Sequence, residues 1–234
     1  MIREAVILAG GFGTRLRSII SEIPKPMAPI GDTPFIYYLL KQLQHFKINK
    51  VVLSVGYKYE SIIEYFGYQF ENMELSYSIE ETPLGTGGGV KLAISQIQED
   101  KFILLNGDSF FGVDLTALAN FHISNKAEIS LSLKPLSNFD RYGSVSIDDN
   151  NKVCKFLEKQ PCRYGLINGG IYIINKQIFN HIDTDKFSLE KDILEPNVKH
   201  ETIYGFISDS FFIDIGIPED YSKAETLKYK LTEY

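Results

Sequence analysis

Residues 4–16 read EAVILAGGFGTRL, and the fold turns on how this stretch ends. A run of apolar, partly β-branched residues that stops abruptly at glycines reads as a buried strand feeding a tight loop. Two well-known glycine loops do not fit. A dinucleotide fingerprint needs a third glycine after Gly11 and Gly13, where this chain has Leu16, and a mononucleotide P-loop needs Gly-Lys-Ser/Thr, which is absent. What remains is a strand end rich in glycine with Arg15 behind it. Without side chains the backbone amides can approach phosphate oxygens, and the guanidinium can add a charge-assisted contact. Shortly afterwards comes PKPM, residues 24–27. Pro24 and Pro26 fix their own backbone angles and restrict the residues before them, so the Lys25 ammonium is carried on a stiff loop.

Outward from the loop, strand-like and helical patterns alternate. KVVLSVG, LSYSIEE and FILLNGD read as further strands. Between the first two strands Phe35, Tyr38, Leu39, Leu43 and Phe46 recur at helical spacing, with Thr33 placed to cap and Pro34 in the first turn. Residues 59–66 and 86–95 predict further crossover helices, and Asp114–Ser124 another. Strand–helix–strand repetition predicts an α/β fold: a Rossmann-like, mostly parallel sheet with helices on both faces. The C-terminal half is denser in strands (EISLSL, YGSVSID, KVCKFLEK, GGIYIIN), with a turn at DDNNK, which predicts added antiparallel strands. A last helix begins at Pro218, with Tyr221, Ala224, Leu227 and Leu231 on one stripe. Core packing is the commoner use of such a stripe; a homodimer contact is the alternative. No linker or repeat interrupts the chain, so residues 1–234 read as a single domain.

Composition narrows the function. Hydrophobic residues make up 44% and charged residues 23%, as in ordinary soluble domains, and the net charge of −6 speaks against a general nucleic-acid binder. No apolar run reaches membrane-spanning length, and the charged start MIREAVILAGG does not resemble a signal peptide, which points to a cytoplasmic protein without a membrane partner. Cys154 and Cys162 form no CxxC pair and have no histidine cluster nearby, so they read as reduced, structural thiols. The four histidines are scattered and read as surface or packing residues.

Several separated stretches share one resemblance. LAGGFGTRL with PKPM is similar to the signature of the sugar-1-phosphate nucleotidyltransferases, also called NDP-sugar pyrophosphorylases. EETPLGTGG, LLNGDSFF, FLEKQP, INGGIYIIN and FIDIGIPEDY resemble that family's remaining motifs in the family's order, over residues 3–226. The resemblance implies nucleotide contacts from Leu8, Ala9, Gly10, Gly11, Gly13, Thr14, Arg15, Lys25, Glu80, Gly85 and Asp108, with Arg15, Lys25 and Asp108 as the catalytic set. It implies that Asp108 and Asp214 hold Mg2+, a hard cation that prefers carboxylate and phosphate oxygens. It implies that Glu158 binds sugar hydroxyls and Lys159 the sugar phosphate, with Gly143, Asn168 and Gly169 lining the sugar pocket. One departure is RSIISEI, residues 17–23, where relatives carry proline and threonine; its extra cation Arg17 resembles the subgroup acting on heptose 1-phosphates, which are guanylyltransferases.

Read as isolated residues, Asp108 after a glycine and Asp214 at a strand end would be turns or caps, and Glu158–Lys159 an exposed strand pair whose side chains point to opposite faces. At Glu80, with Glu81 beside it as the alternative, many relatives have glutamine. A carboxylate accepts but does not donate, which suits the adjacent N1–H and amino donors of guanine better than the carbonyls of uracil or thymine. The implied partners are therefore a nucleoside triphosphate, GTP favoured over dTTP or UTP, and a sugar 1-phosphate, heptose favoured over hexose. Two rival classes remain: a glycosyltransferase, which would want a close Asp-x-Asp pair, and a non-catalytic nucleotide-sensing subunit.

Overall fold

The computed structural model describes residues 2–11 and 23–233. Gly13, Thr14, Arg15 and Arg17 therefore lie outside the described residues. The first half runs β1 (Glu4–Leu8), a short hairpin of β2 (Pro29–Ile30) and β3 (Thr33–Pro34), α1 (Phe35–His45), β4 (Lys50–Val55), α2 (Tyr59–Phe66), β5 (Gln69–Phe70), β6 (Met73–Ile79), α3 (Gly85–Ala93) and β7 (Lys101–Asn106). The second half runs β8 (Ser109–Phe111), α4 (Leu115–Ser124), β9 (Ile129–Phe139), β10 (Ser144–Ile147), β11 (Val153–Leu157), β12 (Cys162–Asn175), α5 (Glu195–Asn197), β13 (Ile203–Ile207), β14 (Phe212–Asp214), α6 (Pro218–Thr226) and α7 (Lys228–Leu231).

Strands β7, β1, β4 and β6 lie side by side and parallel, in that order. Alternation along each strand splits the core in two. Ile7, Leu53 and Ile103 face one cluster with Leu39 and Leu43 of α1, while Val6, Val52 and Leu104 face the other with Val90 of α3. Both faces are thus covered, which is why these strands read as near-continuous apolar runs. β12 then joins β7 antiparallel through Ile171–Asn175 and continues along β9 and β10, adding the antiparallel strands expected of the second half. The DDNNK turn also forms, with the Asp148 carboxylate accepting the amides of Asn150 and Lys152 at 2.9 and 2.8 Å. Among the described residues no helix is long and apolar enough to cross a membrane.

Three local expectations are corrected. Thr33 does not cap α1: it pairs in the β2–β3 hairpin, and the cap position is Pro34, with no side-chain bond. The last helix is not continuous, because it stops at Thr226 and resumes at Lys228; Ala224 and Leu231 are still buried in the core. Cys154 is exposed, so it is a free thiol without a packing role.

His122 is fully buried between Ser130 Oγ (2.9 Å from Nδ1) and Asn175 Oδ1 (3.1 Å from Nε2). Asn175 uses its amide group on the Ala127 carbonyl, so its Oδ1 accepts from Nε2–H, and Nδ1 accepts from Ser130. Burial holds the imidazole pKa below its ordinary value. The unfolded chain therefore binds the proton first, and this contribution to stability, present above about pH 6.5, is lost as pH falls towards the folded value. We expect His122→Gln to flatten the dependence of melting temperature on pH just below 6.5; an unchanged slope would contradict this.

Candidate active site

The carboxyl ends of the four parallel strands open on one side into a cleft of about 800 Å³. Its wall takes Leu8 and Gly10 at the end of β1, Gly56 after β4, Ile79 and Glu80 at the end of β6, and Asn106, Gly107 and Asp108 at the end of β7. The chain order reverses between β1 and β7, and a crevice at such a switch point is where open α/β sheets hold ligands. The loops meet closely there: Gly107 N donates to the Leu8 carbonyl at 2.9 Å, and Ala9 N to the Ser54 carbonyl at 2.7 Å. Leu8, Gly10 and Gly11 line the cleft, and Ala9 is buried behind them.

One end of the cleft is ionic. Lys25 begins a single 3-10 turn, Lys25–Met27, closed by Met27 N on the Pro24 carbonyl at 2.8 Å. Its ammonium is largely buried and lies 2.5 Å from Asp108 Oδ2. Asp214 is brought to the same place by the β8–β14 ribbon, which sets it opposite Ser109, while Ile215 N donates to the Asp108 carbonyl at 2.9 Å. Asp214 Oδ1 accepts from Gly216 N at 2.6 Å, and a Cβ at position 216 would stand 3.4 Å from Lys25 Nζ. Burial, and next the Asp108 charge, raise the Asp214 carboxyl pKa; Lys25 and the Gly216 amide oppose them. Lys25, Asp108 and Asp214 are thus brought together, while Arg15, expected beside them, lies outside the described residues. Among the described residues no three His, Cys, Asp or Glu side chains cluster.

The other end is built by the segment from Glu80 to Thr86. Glu80 Oε1 accepts from the Ser54 hydroxyl at 3.2 Å and Oε2 from Leu84 N at 3.1 Å. The carboxylate is thereby oriented, and each oxygen keeps a second lone pair. Glu81 also borders the cleft but is exposed. Gly85 starts α3 with φ +78°, and a Cβ there would lie 2.6 Å from the Phe187 carbonyl, so only glycine suits the position.

The residues expected around the sugar are less concentrated. Glu158 and Lys159 are exposed and lie beyond β11, which ends at Leu157, so the alternation of a strand does not govern their directions. Gly143 abuts the Leu157 carbonyl just before β10. Asn168 donates to the Tyr172 hydroxyl at 2.7 Å, and Gly169 backs onto the Phe111 ring, at a register shift in β12. None of these five lines the cleft itself; Asn168 and Gly169 connect to it through Tyr172, Phe111 and the β7–β8 turn.

Three features were not legible in the sequence. Tyr142 packs edge-on against Phe212, two residues before Asp214, and burial followed by the Asp214 charge raises its pKa. Arg141 next to it is ion-paired to Asp220 of α6, and its guanidinium lies 5.4 Å from the Tyr142 ring centre. Glu190, from SLEKD, reaches the cleft beside Thr86. Tyr142 could have been suspected from its place before Gly143; Glu190 has no spacing signal.

The chain is similar to known proteins over nearly its whole length. The nucleotidyl transferase family profile matches residues 4–230. The chain is 49% identical over 223 residues to D-glycero-alpha-D-manno-heptose 1-phosphate guanylyltransferase of Aneurinibacillus thermoaerophilus, covering 95% of this chain and 96% of that one. It is 47% identical over 219 residues to the protein of that name in Campylobacter jejuni, covering 93% and 96%. The crystal structure of HddC from Yersinia pseudotuberculosis complexed with GMP-PN superposes with a TM-score of 0.87 at 37% identity, covering 97% of this chain and 100% of that one.

Proposed function

The chain belongs to the nucleotidyl transferase family, and from that premise we propose that it joins GTP to a heptose 1-phosphate, giving a GDP-sugar and pyrophosphate. Transfer of a nucleotidyl group to a sugar 1-phosphate is the activity its relatives carry in their names. The observation that carries the reading for this chain is the cleft lined by Lys25 and Asp108 at one end, with Asp214 behind them at the β8–β14 ribbon, and by an oriented Glu80 at the other. A pure acceptor at Glu80 favours guanine, whose N1–H and amino group are adjacent donors.

In the reaction a sugar-phosphate oxygen forms a bond to the α-phosphorus of GTP, the bond from that phosphorus to the bridging oxygen breaks, and its electron pair leaves with pyrophosphate. The nucleophile is already an anion, so no general base is required. The protein's task is to hold two mutually repelling anions in line and to stabilise the charge on the transferred group. Lys25 would meet phosphate oxygens, aided by Arg15 and the glycine loop, and Lys159 would meet the sugar phosphate. The two acids offer hard oxygen donors only, which fits magnesium; Asp108 and Asp214 would hold the ion, which when bound neutralises phosphate charge.

The test is a matrix of GTP, dTTP, UTP, CTP and ATP against heptose 1-phosphate, mannose 1-phosphate and glucose 1-phosphate, with pyrophosphate as the readout. We expect GTP with heptose 1-phosphate to be the fastest pair. Turnover confined to dTTP or UTP with glucose 1-phosphate would overturn the base assignment, and nucleotide binding without pyrophosphate from any pair would favour the sensing subunit. Glu80→Gln is expected to weaken the GTP preference by roughly tenfold or more, the worth of one charge-assisted hydrogen bond. An unchanged ratio of kcat/KM for GTP over dTTP would remove Glu80 from base selection.

A further inference from the structure

Gln42 is the polar exception on the buried face of α1. Its neighbours there, Leu39, Leu40 and Leu43, are apolar, yet the Gln42 side chain is as completely buried as they are. Its Nε2 donates to the Phe111 carbonyl at 2.6 Å, while Oε1 has no partner among the described residues. The orientation is fixed, because a carbonyl only accepts and the amide must turn its nitrogen towards it. A buried polar atom without a partner costs stability, and an apolar residue at this place on the helix would avoid that cost. What the amide provides is its bond to Phe111.

That bond reaches the element that carries Asp214. β8 and β14 form a ribbon of three residues per strand, too small to hold its own position. Gly112 N donates to the Phe211 carbonyl at 2.8 Å and Ile215 N to the Asp108 carbonyl at 2.9 Å. In an antiparallel pair the bonded positions alternate, so the backbone groups of Phe111 point away from β14. Gln42 takes the Phe111 carbonyl on that outer side. The same helix starts where Phe35 N donates to the Ala28 carbonyl at 2.9 Å, directly after the turn that carries Lys25. α1 is therefore tied at its first residue to the Lys25 turn and, about two turns further on, to the ribbon that brings Asp214 to Asp108.

We propose that Gln42 is a positioning residue for the reaction, its amide holding the β8–β14 ribbon against α1 so that Asp214 stays in place beside Asp108 and Lys25. This rests on the function proposed above. Gln42 does not line the cleft, so it acts through the ribbon alone. Replacement by methionine keeps a linear side chain of similar size and removes the donor; replacement by asparagine keeps the amide but leaves it one methylene short of Phe111. A residue needed only to fill the core would tolerate the first change and suffer from the second. Loss of the link is common to both.

The test is hydrogen–deuterium exchange read by mass spectrometry on protein without metal or substrate, followed by steady-state kinetics, for wild type, Gln42→Met and Gln42→Asn. In both variants exchange over residues 108–112 and 211–215 should quicken roughly tenfold or more, the effect of leaving a buried acceptor unpaired, while β1 and β4 exchange at the wild-type rate. In both, kcat should fall roughly tenfold or more and the magnesium concentration for half-maximal activity should rise, with KM for GTP within about twofold of wild type. If one variant does not fold, the other carries the test. Unchanged exchange at the ribbon in Gln42→Met would overturn the proposal, whatever Gln42→Asn does. Equal acceleration across the whole sheet, or failure of both variants to fold, would make Gln42 a residue of general stability and overturn it as well. So would a loosened ribbon with kcat and magnesium response unchanged, because the acids would then not depend on the link. Wild-type protein that releases no pyrophosphate from any pair of substrates would instead bring down the underlying function, and this role with it; the exchange data, which need no turnover, tell that failure from loss of the link.

Discussion

Replacing Lys25 with alanine is expected to lower the rate of pyrophosphate release by roughly a hundredfold or more, the usual consequence of removing one electrostatic contact to a developing charge. The fold should survive. The turn that carries Lys25 is held by its backbone, through Met27 N on the Pro24 carbonyl and Ala28 N on the Lys25 carbonyl at 2.8 and 3.0 Å, and by flanking prolines. What is lost is an ammonium that is only 11% exposed and lies against Asp108 and near Asp214. In a site shielded from water its charge is screened little, so its absence should be felt fully in the transition state. Single-turnover pyrophosphate release, read beside a thermal melt, decides the matter. Near wild-type turnover from a folded variant would remove Lys25 from the catalytic set.

The second large effect belongs to the two acids. Asp108→Asn and Asp214→Asn should each cost roughly a hundredfold or more in rate and raise the magnesium concentration needed for half-maximal activity. Asp214→Asn should also melt higher than wild type in metal-free buffer at neutral pH. The reason is one of sign. Burial and Asp108 raise the folded pKa of Asp214. The unfolded chain therefore gives up this proton first. The group's stabilising contribution is complete below the ordinary carboxylate value of about 3.9 and is lost as pH rises through the folded value. A neutral amide of the same shape avoids that loss, so the gain should shrink in acid. An Asp214→Asn protein that melts lower at neutral pH and keeps its magnesium response would show that the carboxylate serves the fold and not a cation. Stability surrendered at a site where charge is needed is a common trade in enzymes.

Much of this site was readable from residues 4–16 and their echoes along the chain. The parallel strands were legible because strands buried on both faces must be apolar throughout, as Val6 and Ile7 are, and because each ends in glycine or acid where the backbone turns. Rejecting the fingerprint and P-loop patterns left a strand end expected to meet phosphate, and Gly10, Gly11 and Lys25 all line the cleft. Thr33 misled because its hydroxyl suits a cap by composition, while hairpin pairing with Ile30 claimed its backbone. Glu158 and Lys159 were read as strand residues because the apolar pattern gives no sign that β11 ends at Leu157.

By itself the sequence determined the class of fold and the kinds of group the site contains, because periodicity and residue chemistry are local properties written in the order of the chain. Only the tertiary structure decided which of those groups meet. Lys25 and Asp108 are 83 positions apart and form one ion pair; Asp214 joins them through a three-residue ribbon; Glu190 reaches Thr86 across 104 positions. Such contacts depend on strand order and on how loops pack at one edge of the sheet, and no spacing along the chain encodes that geometry.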